Sequence, residues 1–178
     1  MSQQLIAAIG DVMQLSFVPA DVPAALKFWT GTMGAGPFIA LDNVEVERTL
    51  YKTAPSAVDF SIYIGYWGAL QIEIVEQHNA APSIYKAWRD DGMDGLHHVC
   101  LLTDDIQKAR AVCQAAGVEI LQEVFLPGGG EAIYVDTGGG PGTIVEVLQP
   151  APGAADAFAY IHSLSQGWDG SDPIRRFG

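Results

Sequence analysis

The chain has 178 residues, 49% of them hydrophobic and only 17% charged. That is enough apolar material for one packed domain and too much for a disordered chain. Nine Lys and Arg against 21 Asp and Glu leave a formal net charge of −12, which excludes the basic footprint needed for general nucleic-acid binding or for attachment to an anionic membrane surface. The two cysteines, Cys100 and Cys113, form no C-x-x-C pair, so a zinc knuckle or thioredoxin motif is excluded. The N-terminal stretch lacks a basic region, and no run reaches the ~18 apolar residues of a membrane span. A cytoplasmic protein is expected. The low charge content predicts sheet faces covered on both sides, or a homodimer that hides apolar surface.

In chain order, Val12–Val18 has strand composition and ends at Pro19-Ala20-Asp21. Asp21 is placed to cap a helix over Val22–Met33, with Pro23 in its first turn and an apolar stripe of Ala25, Leu26, Phe28 and Trp29. Strand-like runs follow at Pro37–Leu41, Glu45–Lys52, Val58–Tyr66 and Leu70–Glu76. The polar stretch Gln77–Asp94 holds a short helix at Ser83–Asp90. The pattern then restarts: a strand at Leu96–Thr103, a helix from the cap Asp104 to about Ala116 with Gly117 beyond it, and strands at Val118–Phe125, Ala132–Asp136 and Thr143–Gln149. The order βαβββ therefore occurs twice, over 12–76 and 95–150, a repeat carried by order and length rather than by identity. Residues 1–150 read as one domain, and 151–178 as a tail with a helix at Ala154–Ser165. The triglycine runs at 128–130 and 138–140 lie between strands and lack a following Lys-Ser/Thr, so they read as hairpin turns, not phosphate loops.

Four strands place one polar, ligand-type side chain in an apolar setting. Side chains alternate faces along a strand. Glu146 shares a face with Ile144 and Leu148, and His98 shares one with Leu96 and Cys100. Glu73 lies with Gln71 and Val75, opposite Leu70, Ile72 and Ile74, and Gln14 lies opposite Met13, Leu15 and Phe17. A buried carboxylate must be protonated, paired or bound to a metal. Gln14 and His98 sit on the opening strands of the two modules, and Glu73 and Glu146 on the closing strands.

The stretches VMQLSFVPADVPAALKFWTGTMGAGPF, GLHHVCLLTDDIQKARAVCQAAGVEIL (Gly95–Leu121) and GTIVEVLQP (Gly142–Pro150) resemble the vicinal oxygen chelate superfamily. That family includes glyoxalase I, methylmalonyl-CoA epimerases, extradiol dioxygenases and fosfomycin and bleomycin resistance proteins. The resemblance spans about residues 12–150. It implies an α+β fold of two βαβββ modules whose mixed sheets curve around a metal-containing cavity. It also implies one divalent metal ion on Gln14, Glu73, His98 and Glu146, a set similar to that of eukaryotic glyoxalase I. Three oxygen donors and one imidazole suit zinc first, with cobalt, nickel, manganese and magnesium as alternatives. Iron(II) dioxygenase chemistry calls for two His and one carboxylate, which Gln14 in a His position disfavours.

The resemblance implies a glyoxalase-like lyase or isomerase in which the metal binds substrate oxygens as a Lewis acid and a carboxylate moves a proton. Glu146 is the expected base, with Glu73 second. Aromatic residues in the strands favour a small, largely apolar or aromatic substrate. The pocket is expected to be lined or underlaid by Val12, Ser16, Leu96, Cys100, Ile144 and Leu148, with no ring of basic residues. The alternatives are an enzyme similar to methylmalonyl-CoA epimerase or lactoylglutathione lyase, and a metal-free small-molecule binding or resistance protein.

Overall fold

The computed structural model describes residues 5–177. The elements run β1 (Val12–Phe17), α1 (Val22–Gly31), β2 (Phe38–Leu41), β3 (Arg48–Tyr51), β4 (Ala54–Pro55), β5 (Phe60–Trp67), β6 (Leu70–Gln77) and α2 (Ile84–Asp90). They continue with β7 (Leu96–Leu102), α3 (Ile106–Ala116), β8 (Glu119–Leu126), β9 (Gly130–Asp136), β10 (Ile144–Gln149), α4 (Ala154–Ser165) and β11 (Ile174–Arg176). This is the α+β class that the family resemblance implied. α1 begins where Asp21 accepts a hydrogen bond from the Ala24 N–H, the usual satisfaction of an orphan donor at a helix start. α3 is capped one residue later than expected: Asp105, not Asp104, accepts from the Lys108 N–H. Gly117 ends it in the left-handed region at φ 73, where a side chain would be strained.

The strands form one sheet in the order β11-β2-β5-β6-β1-β7-β10-β9-β8-β3-β4. β1 and β7 pair antiparallel at its centre, and each is flanked by a parallel closing strand, β6 or β10. Read outward from this seam, both modules have the same sequence of neighbours, and they join within one chain. The register repeats too. Ser16 lies opposite Glu73, and Cys100 opposite Glu146. Gln14 precedes Ser16 by the same step as His98 precedes Cys100, so Gln14 is equivalent to His98 and Glu73 to Glu146.

One strand departs from the repeat. β3 belongs in sequence to the first module but pairs with β8 of the second. The sheet curls until its halves face each other, since Leu41 of β2 and Val124 of β8 line one cavity. The chain leaving β2 therefore needs only a short connection to reach the far edge. A strand pattern reports residue composition and alternation, not the partner, so the crossing was invisible in the sequence.

α1 and α3 cover the outer face. α1 packs Val22, Leu26 and Trp29 on Phe38, Ile72 and Ile74. α3 packs Ile106, Ala109 and Cys113 on Leu101, Ile133, Val135 and Val147. Phe60, Val75, Tyr85, Val124 and Tyr134 gather in an inner cluster. Strands covered on both faces account for their near-continuous apolar runs. Beyond Pro150, α4 docks on β5 and buries Ile161, 2% exposed, among Ile39, Ile64 and Tyr66, and β11 extends the sheet beside β2. Among the described residues, no helix is long and apolar enough to cross a membrane.

Candidate metal centre

Glu73 of β6, His98 of β7 and Glu146 of β10 meet on the concave side of the seam. One ligand-type atom from each lies within 4.8 Å of the others. His98 Nε2 is 3.2 Å from Glu146 Oε2 and 3.7 Å from Glu73 Oε2. All three side chains are buried or nearly so. Gln14 of β1 opens onto the same cavity as both carboxylates, so all four positions singled out in the sequence share one site.

Supporting contacts fix each side chain. The Ser16 hydroxyl donates to Glu73 Oε2 at 2.6 Å. The Tyr134 hydroxyl donates to Glu146 Oε1 at 3.1 Å and accepts from Tyr85 at 3.2 Å. Gln14 Nε2 donates to Gln71 Oε1, and Gln71 Nε2 in turn donates to the Tyr66 hydroxyl. That chain turns the Gln14 carbonyl oxygen away from Gln71, and it is buried without a hydrogen-bond partner. Gln71 carried a signal in the sequence, since it shares the Glu73 face two residues away. Tyr134 carried none, because an aromatic residue in a strand is ordinarily core.

Burial, followed by the negative charge of Glu146, pushes Glu73 up to about 7, against the opposing pull of His98 and the Ser16 hydroxyl. Burial likewise raises Tyr85 and Tyr134, and both carboxylates add to the effect. Both phenols therefore stay protonated as hydrogen-bond donors. Burial, with His98 beside it, lowers His97 to about 3.

The donor set fits a divalent cation. A buried carbonyl oxygen without a donor is costly, and so are two carboxylates taken out of water against a single imidazole. A cation held by Gln14, Glu73, His98 and Glu146 would relieve both costs.

Above this floor lies a cavity of about 220 Å³. Its walls are mainly aliphatic and aromatic, with Leu41, Phe60, Ile62, Val124, Leu148 and Phe158 among them. Its polar side chains are Gln14, Glu73, Glu146, Tyr85 and Tyr134, and no Lys or Arg lines it among the described residues. Of the residues expected around it, Leu148 lines the wall, Ile144 packs against the inner cluster, and Ser16 and Cys100 lie fully buried. Val12 and Leu96 do not line it. Val12 is 49% exposed, and Leu96 is half-buried beside Gly142. The β1–β7 register shifts between Val12 and Gln14 and again between Ser16 and Phe17, so strict alternation fails at both ends of the pair. Phe158 comes from α4, in the segment that the sequence placed outside the domain.

The family model described as the Glyoxalase/Bleomycin resistance protein/Dioxygenase superfamily matches residues 13–135. No curated protein matches the chain in sequence. Among solved structures, a hypothetical protein of Bacillus halodurans is similar at 14% identity and a TM-score of 0.58, covering 79% of this chain and 94% of its own. Methylmalonyl-CoA epimerase of Streptomyces coelicolor, in complex with 2-nitronate-propionyl-CoA, is similar at 17% identity and a TM-score of 0.52, covering 81% and 96%. The epimerase of Mycobacterium tuberculosis is similar at 14% and 0.52, covering 82% and 91%. At these identities the likeness is one of fold.

Proposed function

The chain belongs to the glyoxalase, bleomycin resistance protein and dioxygenase superfamily, and on that premise we propose that it is a metal-dependent lyase or isomerase. It moves a proton next to a carbonyl group of a small, largely apolar or aromatic substrate. The observation that carries this reading is the pair Glu73 and Glu146 converging on one imidazole at the floor of an apolar cavity. Gln14, Glu73, His98 and Glu146 hold the cation, zinc before cobalt, nickel, manganese or magnesium. When bound, it supplies Lewis-acid stabilisation of negative charge developing on a substrate oxygen.

The chain's own residues supply the rest. Glu146 is the base, and Tyr134, backed by Tyr85, steadies its Oε1 by donating a hydrogen bond. Glu73, steadied by Ser16, is the second candidate. The apolar walls orient the substrate and exclude water, which strengthens the electrostatic interactions on the floor.

The test works with the substrate still unidentified. Elemental analysis of purified protein should find about one divalent ion per chain. Small 2-oxo and 2-hydroxy carbonyl compounds are then incubated with it in D2O and followed by proton NMR. Exchange of the hydrogen next to the carbonyl should fall on the order of 10²–10⁴-fold in Glu146→Gln. Undiminished exchange in that variant moves the base to Glu73. A protein that takes up no divalent ion sinks the catalytic reading and leaves a binding or sequestering protein.

A further inference from the structure

His97 is adjacent to a proposed ligand yet faces the same way. Successive side chains of a strand point to opposite faces, but His97 Nδ1 lies 2.9 Å from His98 Nδ1. The cause is a bulge. Ser16 pairs with His98 and the next residue, Phe17, pairs with Leu96, so His97 is the extra residue on β7. A bulge of this kind re-aims a side chain. It leaves His97 with no exposed surface, between the rings of Tyr85 and Trp88 at 5.6 and 5.1 Å. Its Nε2 faces the carbonyl oxygen of Ile84, at the start of α2, at 3.4 Å.

The proton positions follow from these partners. A backbone carbonyl only accepts, so His97 carries its proton on Nε2. Two nitrogens facing each other share one proton. A second proton on His97 would place a charge on a buried ring with no carboxylate beside it. His97 Nδ1 is therefore the acceptor and His98 Nδ1 the donor. The other nitrogen of His98, Nε2, faces Glu73 and Glu146.

We propose that His97 is a positioning residue that fixes the tautomer and ring orientation of His98, so that His98 presents Nε2 to a divalent cation. This rests on the metal-site reading above. The line runs from the Ile84 carbonyl through His97 to His98, and it ties the metal centre to the first turn of α2. A ligating imidazole held in this way through its second nitrogen is both better oriented and more basic.

The test has two arms. Long-range proton–nitrogen NMR on the metal-free wild-type protein should show His98 protonated at Nδ1 and His97 at Nε2. The reverse arrangement overturns the proposal, whatever the variants do. Zinc(II) alone is then titrated against a competing chromophoric chelator. His97→Phe keeps the ring packing and removes the acceptor, so zinc affinity should drop about 10–100-fold and His98 in the metal-free variant should shift toward protonation at Nε2, which faces the Glu146 carboxylate at 3.2 Å. His97→Asn restores a carbonyl acceptor and should recover part of the affinity. Unchanged affinity in a folded His97→Phe, with His98 still protonated at Nδ1, overturns the role. Failure of the wild type to bind zinc or any other divalent ion instead removes the functional reading, and the NMR arm distinguishes the two outcomes.

Discussion

Glu73 is where the site's energetics become measurable. Without a cation its carboxyl is raised to about 7, by burial and then by Glu146, whereas in the unfolded chain it would ionise near its ordinary 4.5. A raised folded value means that the folded state holds the proton longer. The contribution to stability is fully present below about 4.5 and is lost as pH rises through about 7. Thermal unfolding in the presence of a chelator should therefore show stability falling across that window. Added zinc requires the ionised carboxylate and should restore stability most at the upper end. A chelated protein that is equally stable at pH 4.5 and 7.5 contradicts this account of Glu73. Glu146 and His98 were legible in the sequence because each interrupts an apolar strand face, and Glu73 and Gln14 because they hold the matching places in the other module. His97 was not, because reading it required the bulge at Ser16–Phe17, and a bulge leaves no mark in the alternation of the strand that contains it.

Among the elements, α4 has the least obvious connection to the site and the clearest effect on its shape. It reaches the cavity through Phe158 while Ile161 anchors it to β2 and β5, and His162 Nε2 meets the Gly68 carbonyl oxygen at 3.1 Å. The two roles should separate on mutation. Ile161→Ala removes a fully packed side chain and should cost about 2–5 kcal/mol in urea unfolding. Phe158→Ala should leave zinc affinity unchanged while enlarging the cavity. In zinc-loaded protein, naphthohydroxamate should then gain affinity relative to acetohydroxamate, as measured by calorimetry. An unaltered size preference would mean that Phe158 does not limit the substrate. The helices and most strands were readable from caps, glycines and periodicity. The contact between α4 and the cavity was not, because an amphipathic pattern shows that a face is buried without showing what buries it. The same holds for β3, whose composition was clear and whose partner β8 was not.

For the whole molecule, the net charge of −12 and the distribution of its few cations decide which substrates the site can admit. The epimerases that share its fold invite an acyl-CoA reading, and such a ligand needs cations at the cavity mouth to meet its phosphates. Of the nine Lys and Arg, none lines the cavity among the described residues, and Arg48, Lys52, Lys86 and Arg89 make other contacts. Arg48 lies over the Phe125 ring at 4.1 Å, and Lys52 sits 5.5 Å from the Tyr51 ring. Lys86 pairs with Asp90, and Arg89 donates to the Met93 carbonyl oxygen. Lys86 and Arg89 border a second hollow along α2, which Glu76 also lines and which meets the metal cavity only at Tyr85. The cavity over the metal centre measures about 220 Å³, below the ~300–1,000 Å³ usual for sites of drug-sized ligands. Coenzyme A and glutathione at millimolar concentration should therefore neither raise the melting temperature of the zinc-loaded protein nor displace benzohydroxamate from it. Benzohydroxamate, with two adjacent oxygens on one small ring, should bind and stabilise. Displacement by coenzyme A that weakens steeply with added salt would show that cations do gather at the mouth, and it would put the acyl-CoA reading first.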